Sequence, residues 1–234
     1  DLHSLSHDLD RPVVSFNDTG RVVTAREFRD VISCYAQALR AKGLNKGARV
    51  GLIARNRPEV LFIHGAVAFT EICIVPLHPM GSLDDIAYMV EDAHIEAMIF
   101  DPAYYQDMVR TLQQRAPYLK HLLALGPTDI GEDLAALAEG FAPQPLVPLH
   151  PDPEEIIRLS YSGGTTGKSK AIMLSSRGFL TMLDILLKEW EWPGEVRQLI
   201  CSPLSHAGGV VFIPTLLKQG SMVVLAGFDP TAVL

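Results

Sequence analysis

Short apolar runs alternate with amphipathic segments along the first half of this chain. Residues 49–54, 72–76 and 97–100 are mostly apolar runs, each long enough for a buried strand. The segments around them place apolar residues at helical spacing after polar caps, as where Thr24 and Glu27 form a T-x-x-E capping box. Alternation of helices with continuously apolar strands predicts an α/β fold with mainly parallel sheets and helices on both faces.

The same pattern continues in the segments that later bear on function. Asn56 is predicted to cap a helix that has Pro58 in its first turn. Strands are predicted over residues 156–161 and 170–174, and a helix over about 208–218. The stretch between the two strands is rich in glycine and hydroxyl residues, so it is expected to form a loop.

A proline-rich segment separates the two halves of the chain. Residues 141–153 contain five prolines, which excludes a helix there. The segment either crosses between two subdomains or is an ordinary surface loop. We predict a first α/β subdomain over residues 1–150 and the start of a second over residues 151–234.

Composition narrows the classes of function and the cellular setting. The 234 residues are 48% hydrophobic and 20% charged, with a net charge of -7, which argues against nucleic acid as a partner. No apolar run reaches the roughly 18 residues of a transmembrane segment. The cysteines are far apart and show neither disulfide nor metal-ligand spacing, so a reduced, cytoplasmic setting is expected.

The most distinctive stretch is LSYSGGTTGKSKA, at residues 159–171. Glycine lets backbone N–H groups approach a ligand closely, and hydroxyl and ammonium groups add donors and positive charge. These features predict a phosphate-binding loop. The residues expected to contact phosphate are Ser162, Gly163, Gly164, Thr165, Thr166, Gly167 and Lys170.

One alternative for this loop is the Walker A motif of P-loop NTPases. Gly167, Lys168 and Ser169 fit that motif, but Ser162 stands where it requires glycine. The motif should also lead directly into a helix, whereas residues 171–174 have the pattern of a strand. These two departures count against a P-loop NTPase, which is kept as the second hypothesis because the other three positions fit.

The loop resembles the signature Y-T-S-G-T-T-G-x-P-K-G of the adenylate-forming superfamily, which includes acyl-CoA synthetases, luciferases and peptide-synthetase adenylation domains. The positions that match are Tyr161, Gly164, Thr165, Thr166, Gly167 and Lys170, and those that depart are Gly163, Ser169 and Ala171. Residues 202–209 (SPLSHAGG) are similar to the P-L-F-H-x-x-G segment that follows the loop in this superfamily. Weaker similarities lie at residues 47–58, 66–79, 217–225 and 228–230.

The resemblance implies a reaction and a set of roles. ATP and a carboxylic acid would form an acyl-adenylate with release of pyrophosphate, and the acyl group would then pass to a thiol such as CoA. The loop would hold the phosphates with Mg²⁺, for which Thr166 is the expected ligand, and Lys170 would be the critical lysine. His206 would lie beside the acyl site and orient the carboxylate or the adenylate.

Other parts of that superfamily's pattern do not occur in these residues. There is no Y-G-x-T-E block and no C-terminal domain with its catalytic lysine, and full members are about twice as long. We therefore expect a fragment that lacks the C-terminal half of its enzyme and is inactive alone. A third hypothesis is a non-catalytic half-domain used for binding or assembly. A medium- to long-chain fatty acid is the favoured substrate and an aryl acid the second choice, while a homodimer is left open.

Overall fold

The computed structural model describes residues 8–162 and 168–233. The elements in the first part are β1 (Pro12–Phe16), β2 (Arg21–Thr24), α1 (Ala25–Ala41), β3 (Arg49–Ile53), α2 (Pro58–Val67), β4 (Cys73–Pro76), α3 (Leu83–Asp92), β5 (Ala97–Phe100), α4 (Pro102–Arg115), β6 (His121–Ala124), β7 (Glu132–Asp133) and α5 (Leu134–Glu139). Those in the second part are β8 (Ile156–Ser162), β9 (Lys170–Ser175), α6 (Ser176–Glu189), β10 (Arg197–Ile200), α7 (Ala207–Val210), α8 (Phe212–Leu217), β11 (Ser221–Val224) and α9 (Pro230–Val233).

Within the described ranges the strands form two sheets. The larger has seven strands in the order β7-β6-β5-β3-β4-β8-β9, and all neighbours are parallel except the antiparallel pair β8–β9. The smaller has the order β10-β11-β1-β2, parallel except for the hairpin β1–β2. The predicted α/β fold with mainly parallel sheets is confirmed.

The large sheet is covered by helices on both faces. Val50, Leu52 and Ile99 point into a core shared with α1 and α2, while Met98 and Phe100 point into a second core shared with α3 and α4. Because successive side chains on a strand alternate between faces, a strand covered on both sides must be apolar at every position. This requirement explains the continuous apolar runs in the sequence.

Of the two helix caps predicted by residue, one is confirmed and one is wrong. Thr24 Oγ1 accepts a hydrogen bond from Glu27 N at 3.2 Å and so caps α1. Asn56 does not cap α2, because the capping position is Arg57, whose backbone is extended before Pro58 and whose side chain makes no capping bond. The helix predicted over 208–218 is divided into α7 and α8 at Val211.

The proline-rich segment runs across helix α1. The described structure contains no helix or strand over residues 141–153, and Ser33 Oγ both donates to Gln144 O and accepts from Gln144 N, each at 2.8 Å. The division into subdomains at residue 150 stays a prediction. Strands from both sides of that position occur in each sheet, since β8 pairs with β4 and β11 pairs with β1.

No helix in residues 8–162 or 168–233 is long and apolar enough to cross a membrane.

Candidate functional site

The Gly-rich loop connects the antiparallel strands β8 and β9. Ser162 and Lys170 are Cα partners at the end of this hairpin, and both are exposed. The other residues expected to contact phosphate lie outside the described residues, so their roles stay predictions: Gly163, Gly164, Thr165, Thr166 and Gly167. What the structure describes is a pair of adjacent strand ends that presents a hydroxyl on one side of the loop and an ammonium group on the other.

The element that follows the loop distinguishes between the two loop hypotheses. A Walker A loop leads into a helix, whose N-terminus contributes to phosphate binding. Here the loop leads into β9, and helix α6 starts only at Ser176, with Ser175 Oγ accepting from Gly178 N at 3.1 Å. The predicted strand after the loop is confirmed, and it counts against a P-loop NTPase.

His206 follows β10 and immediately precedes the short helix α7. Its Nδ1 lies 2.9 Å from Ser205 Oγ, and its ring meets the ring of His78 edge to face with centroids 4.8 Å apart. Ser205 is buried, His206 is partly buried and His78 is exposed. The imidazole of His206 is thus fixed on one side by the protein interior and faces the surface on the other.

The loop and His206 border one cleft of about 970 Å³. Its lining includes Lys168 and Ser169 from the loop, His78 from the segment after β4, and His206 from the segment after β10. The carboxyl ends of β4, β8 and β10 therefore open onto the same space, which is where ligands bind in α/β sheets of this kind. A volume of this size is within the range of ligand pockets.

The environment of His206 favours its neutral form. Its pKa is lowered from 6.5 to about 4, chiefly by loss of solvation and in addition by the nearby His78 and Arg158. The pKa of His64 is lowered in the same way to about 3, chiefly by burial and in addition by Arg158 and His206. At neutral pH both rings are uncharged, so each has one N–H donor and one acceptor nitrogen.

The two lysines near the loop differ in their surroundings. Lys168 Nζ lies 4.9 Å from the centre of the Tyr88 ring, a cation–π contact at the rim of the cleft. Lys170, by contrast, makes no ion pair with any residue in the described ranges. Next to the loop, Tyr161 donates its hydroxyl to Asp92 Oδ2 at 2.7 Å, which attaches β8 to α3.

Asn56 holds the segment that leads to His206. Its Nδ2 donates to Ser202 O at 3.0 Å and to Leu225 O at 2.9 Å, and its Oδ1 accepts from Leu204 N at 2.8 Å. The carboxamide thereby joins the large sheet to the carboxyl ends of β10 and β11. Sequence reasoning missed this role, because the partners are 146 to 169 positions away and no local signal marks them.

Gly208 and Gly209 are explained by close backbone packing beside His206. A Cβ on Gly208 would lie 2.6 Å from Ser202 O, and one on Gly209 would lie 2.2 Å from Leu204 O. No side chain fits at such distances, so α7 packs against residues 202–204 only because both positions are glycine. The glycines therefore help to set the position of His206.

The described residues contain no cluster of three or more His, Cys, Asp or Glu side chains that could hold a metal ion. Thr166, the expected Mg²⁺ ligand, lies outside them. Mg²⁺ bound with nucleotide is often held by few protein groups together with phosphate oxygens and water, so a hydroxyl ligand suits it.

Comparison with known proteins yields consistent matches. The model of a family described as AMP-binding enzyme matches residues 3–234. The chain is 42% identical over 237 residues to the medium/long-chain-fatty-acid–CoA ligase FadD8 of Mycobacterium tuberculosis, covering 99% of this chain and 41% of that protein. It is 28% identical over 217 residues to a feruloyl-CoA synthase of Amycolatopsis sp, covering 92% of this chain and 41% of that protein.

A solved structure has the same fold. The crystal structure of ATP-bound MatB from Rhodopseudomonas palustris superposes with a TM-score of 0.84 at 24% identity, over 97% of this chain and 44% of that one. This chain spans about two fifths of the length of the curated relatives named above.

Proposed function

We propose that the protein containing this chain activates a carboxylic acid with ATP and transfers the acyl group to a thiol. The reason is that this chain belongs to the AMP-binding enzyme family. The acid would be joined to AMP with release of pyrophosphate, and CoA is the proposed acceptor. The observation that carries the proposal is the shared cleft, since the end of the phosphate loop and His206 line the same space. A nucleotide phosphate and a carboxylate must meet in such a space for this reaction.

The residues at the hairpin end suit a polyphosphate. Ser162 and Lys170 are exposed opposite each other, and Lys168 stands at the rim of the cleft. Hydroxyl and ammonium groups donate hydrogen bonds to phosphate oxygens and offset their charge, which grows on the leaving pyrophosphate as the carboxylate attacks. Mg²⁺ would neutralise part of the same charge, with Thr166 as the proposed protein ligand.

His206 is proposed to orient the carboxylate or the adenylate. Its Nδ1 is within hydrogen-bond distance of Ser205 Oγ, so Nε2 is the ring nitrogen left to face a ligand. In the proposed tautomer Nδ1 accepts from Ser205 Oγ, so the proton of the neutral ring is on Nε2 and can be donated to a carboxylate oxygen without holding that carboxylate in a tight ion pair. Such an ion pair would stabilise the ground state and would have to be broken during the reaction.

A medium- to long-chain fatty acid is the proposed substrate. The fatty-acid CoA ligase FadD8 is 42% identical to this chain, whereas the feruloyl-CoA synthase is 28% identical. An aryl acid is the second candidate, because the second of these relatives is named for one.

ATP–pyrophosphate exchange in the protein containing this chain tests the proposal. Exchange is expected with decanoate or palmitate, with weaker exchange for ferulate and none without an acid, and added CoA should give the thioester and AMP. ADP formation without any acid would contradict the proposal and favour an NTPase. A protein that turns over no nucleotide with any acid would favour the non-catalytic half-domain.

A further inference from the structure

Arg158 joins the strand that leads into the loop to the segment that carries His206. It lies on β8, opposite Ile74 of β4 and Leu174 of β9. Its Nε donates to Ser160 Oγ at 3.0 Å, and its Nη2 donates to Ser205 O at 2.9 Å. The second bond reaches the residue directly before His206.

The guanidinium is partly buried and has no acidic partner among the residues that the structure describes. Burial lowers its pKa. A partly buried arginine is usually retained with a carboxylate, since an uncompensated charge away from water is costly. Here the planar guanidinium instead donates to a serine hydroxyl and a backbone carbonyl, which indicates that Arg158 serves to hold these two groups in place.

We propose that Arg158 is a positioning residue that fixes His206 relative to the phosphate loop, through Ser205 on one side and strand β8 on the other. The loop begins just after Ser162, four residues beyond Arg158 on the same strand. A shift of either element therefore moves the other. This inference rests on the proposed function, in which the loop holds ATP and His206 orients the acid.

The charges around His206 give Arg158 a second effect. The groups whose charge lowers the pKa of His206 are His78 after β4 and Arg158 on β8. Arg158 and His206 likewise lower the pKa of His64 on α2. Loss of solvation is the main cause of the low pKa of His206, and His78 and then Arg158 lower it in the same direction. The guanidinium of Arg158 therefore adds to the effect of burial in keeping the imidazole neutral, while it holds Ser205.

Small displacements of the groups that orient a substrate have a large effect on the reaction rate. Reacting groups must be held close to their productive geometry, and a displacement of about 1 Å can cost on the order of 100-fold in rate. Substrate binding depends on many other contacts. Loss of Arg158 should therefore reduce kcat for acid activation much more than it changes KM for ATP.

The test compares Arg158→Met with Arg158→Lys and with a control, Arg177→Met. Methionine retains much of the apolar length of the side chain and removes the charge and the donors, while lysine retains the charge without the planar donor group. Arg177 is an exposed arginine on α6 whose guanidinium lies 2.5 Å from Glu154 Oε1, so it controls for the loss of an arginine near β8.

Two measurements are made on the protein containing this chain: acid-dependent ATP–pyrophosphate exchange, and the NMR titration of His206. Arg158→Met should lower kcat about 10- to 100-fold with KM for ATP within about 2-fold, and should raise the pKa of His206 by less than about 1 unit, because burial and His78 lower that pKa more than Arg158 does. Arg158→Lys should leave the His206 titration near that of the wild type and recover only part of kcat. Arg177→Met should change neither quantity.

An unchanged His206 titration and kcat in folded Arg158→Met would overturn the proposal. So would a rise confined to KM for the acid, because it would mean that the guanidinium binds the substrate directly. If the wild-type protein shows no exchange with any acid, the proposed function fails, and the NMR titration of the variants still decides whether Arg158 controls His206.

Discussion

Strand β5 and the hairpin β8–β9 belong to the same sheet but have opposite surroundings. All residues of β5 are buried, and Phe100 is fully enclosed between α3 and α4. On β9 the residues from Lys170 to Met173 are exposed, including Ile172 at 59% exposure. The central strands thus provide the packing that stabilises the sheet, while the edge hairpin is exposed along β9 and contributes Tyr161, Lys168 and Ser169 to the cleft. Changes in the two regions should therefore be separable into effects on stability and effects on activity.

The largest expected effect is on stability in the centre of the sheet. Phe100→Ala leaves a cavity in the second core and should lower the free energy of unfolding by about 3–5 kcal/mol. The matched edge variant Ile172→Ala should change it by less than about 0.5 kcal/mol, because the side chain is largely in water already. Urea unfolding of both variants measures the difference, and equal losses would contradict the contrast between the two regions.

The next effect concerns activity at the hairpin. Lys170→Ala should lower the ATP–pyrophosphate exchange rate by roughly 100- to 1,000-fold, because the proposed function has its ammonium group offset the developing phosphate charge. Lys168→Ala should have a smaller effect, less than about 10-fold, since its ammonium already contacts Tyr88. Both lysines are exposed, so unfolding free energies should stay within about 0.5 kcal/mol of the wild type. The opposite order of rates would indicate a Walker-type loop.

Asn56 joins the large sheet to the segment that leads to His206, so its replacement should affect both stability and activity. Asn56→Asp preserves shape but removes the donor for Ser202 O and Leu225 O, and it directs a carboxylate at those carbonyls. We expect a loss of about 1–3 kcal/mol in the free energy of unfolding, together with a lower exchange rate. Urea unfolding and the exchange assay measure the two effects. Asn45→Asp, at an exposed position, is the control, and an equal effect there would show that Asn56 has no special role.

The smallest effect is a pH dependence of stability that arises from two neutral histidines, His64 and His206. The pKa values of His64 and His206 are about 3 and 4 in the folded protein, below the ordinary 6.5. Below pH 6.5 the unfolded chain therefore binds protons that the folded protein does not, and stability falls as pH decreases toward 4 and then 3. His64→Leu should make unfolding free energies less dependent on pH between 6.5 and 5, by at most about 1.4 kcal/mol per pH unit. His150→Leu, at an exposed position, is the control, and the idea fails if both variants keep the wild-type slope.

Local sequence signals determined most of the secondary structure. The box formed by Thr24 and Glu27 predicted the start of α1, and the apolar runs predicted β3, β4 and β5, because caps and burial on both faces depend on nearby residues. The strand after the Gly-rich stretch was also predictable from its apolar pattern. The short elements β7 and α5 were missed, since six residues carry little helical periodicity.

The sequence by itself determined the family, and it predicted the chemistry of the loop and the role of His206, because these depend on residue types in a fixed order. Only the tertiary structure showed that Asn56 binds residues 202–204 instead of capping α2, and that Arg158 reaches Ser205. It also showed that His206 shares its cleft with the end of the loop. The physical reason is the same for each. Long polar side chains satisfy their hydrogen bonds with whichever backbone groups the fold brings near, and those groups are 47 to 169 positions away along the chain.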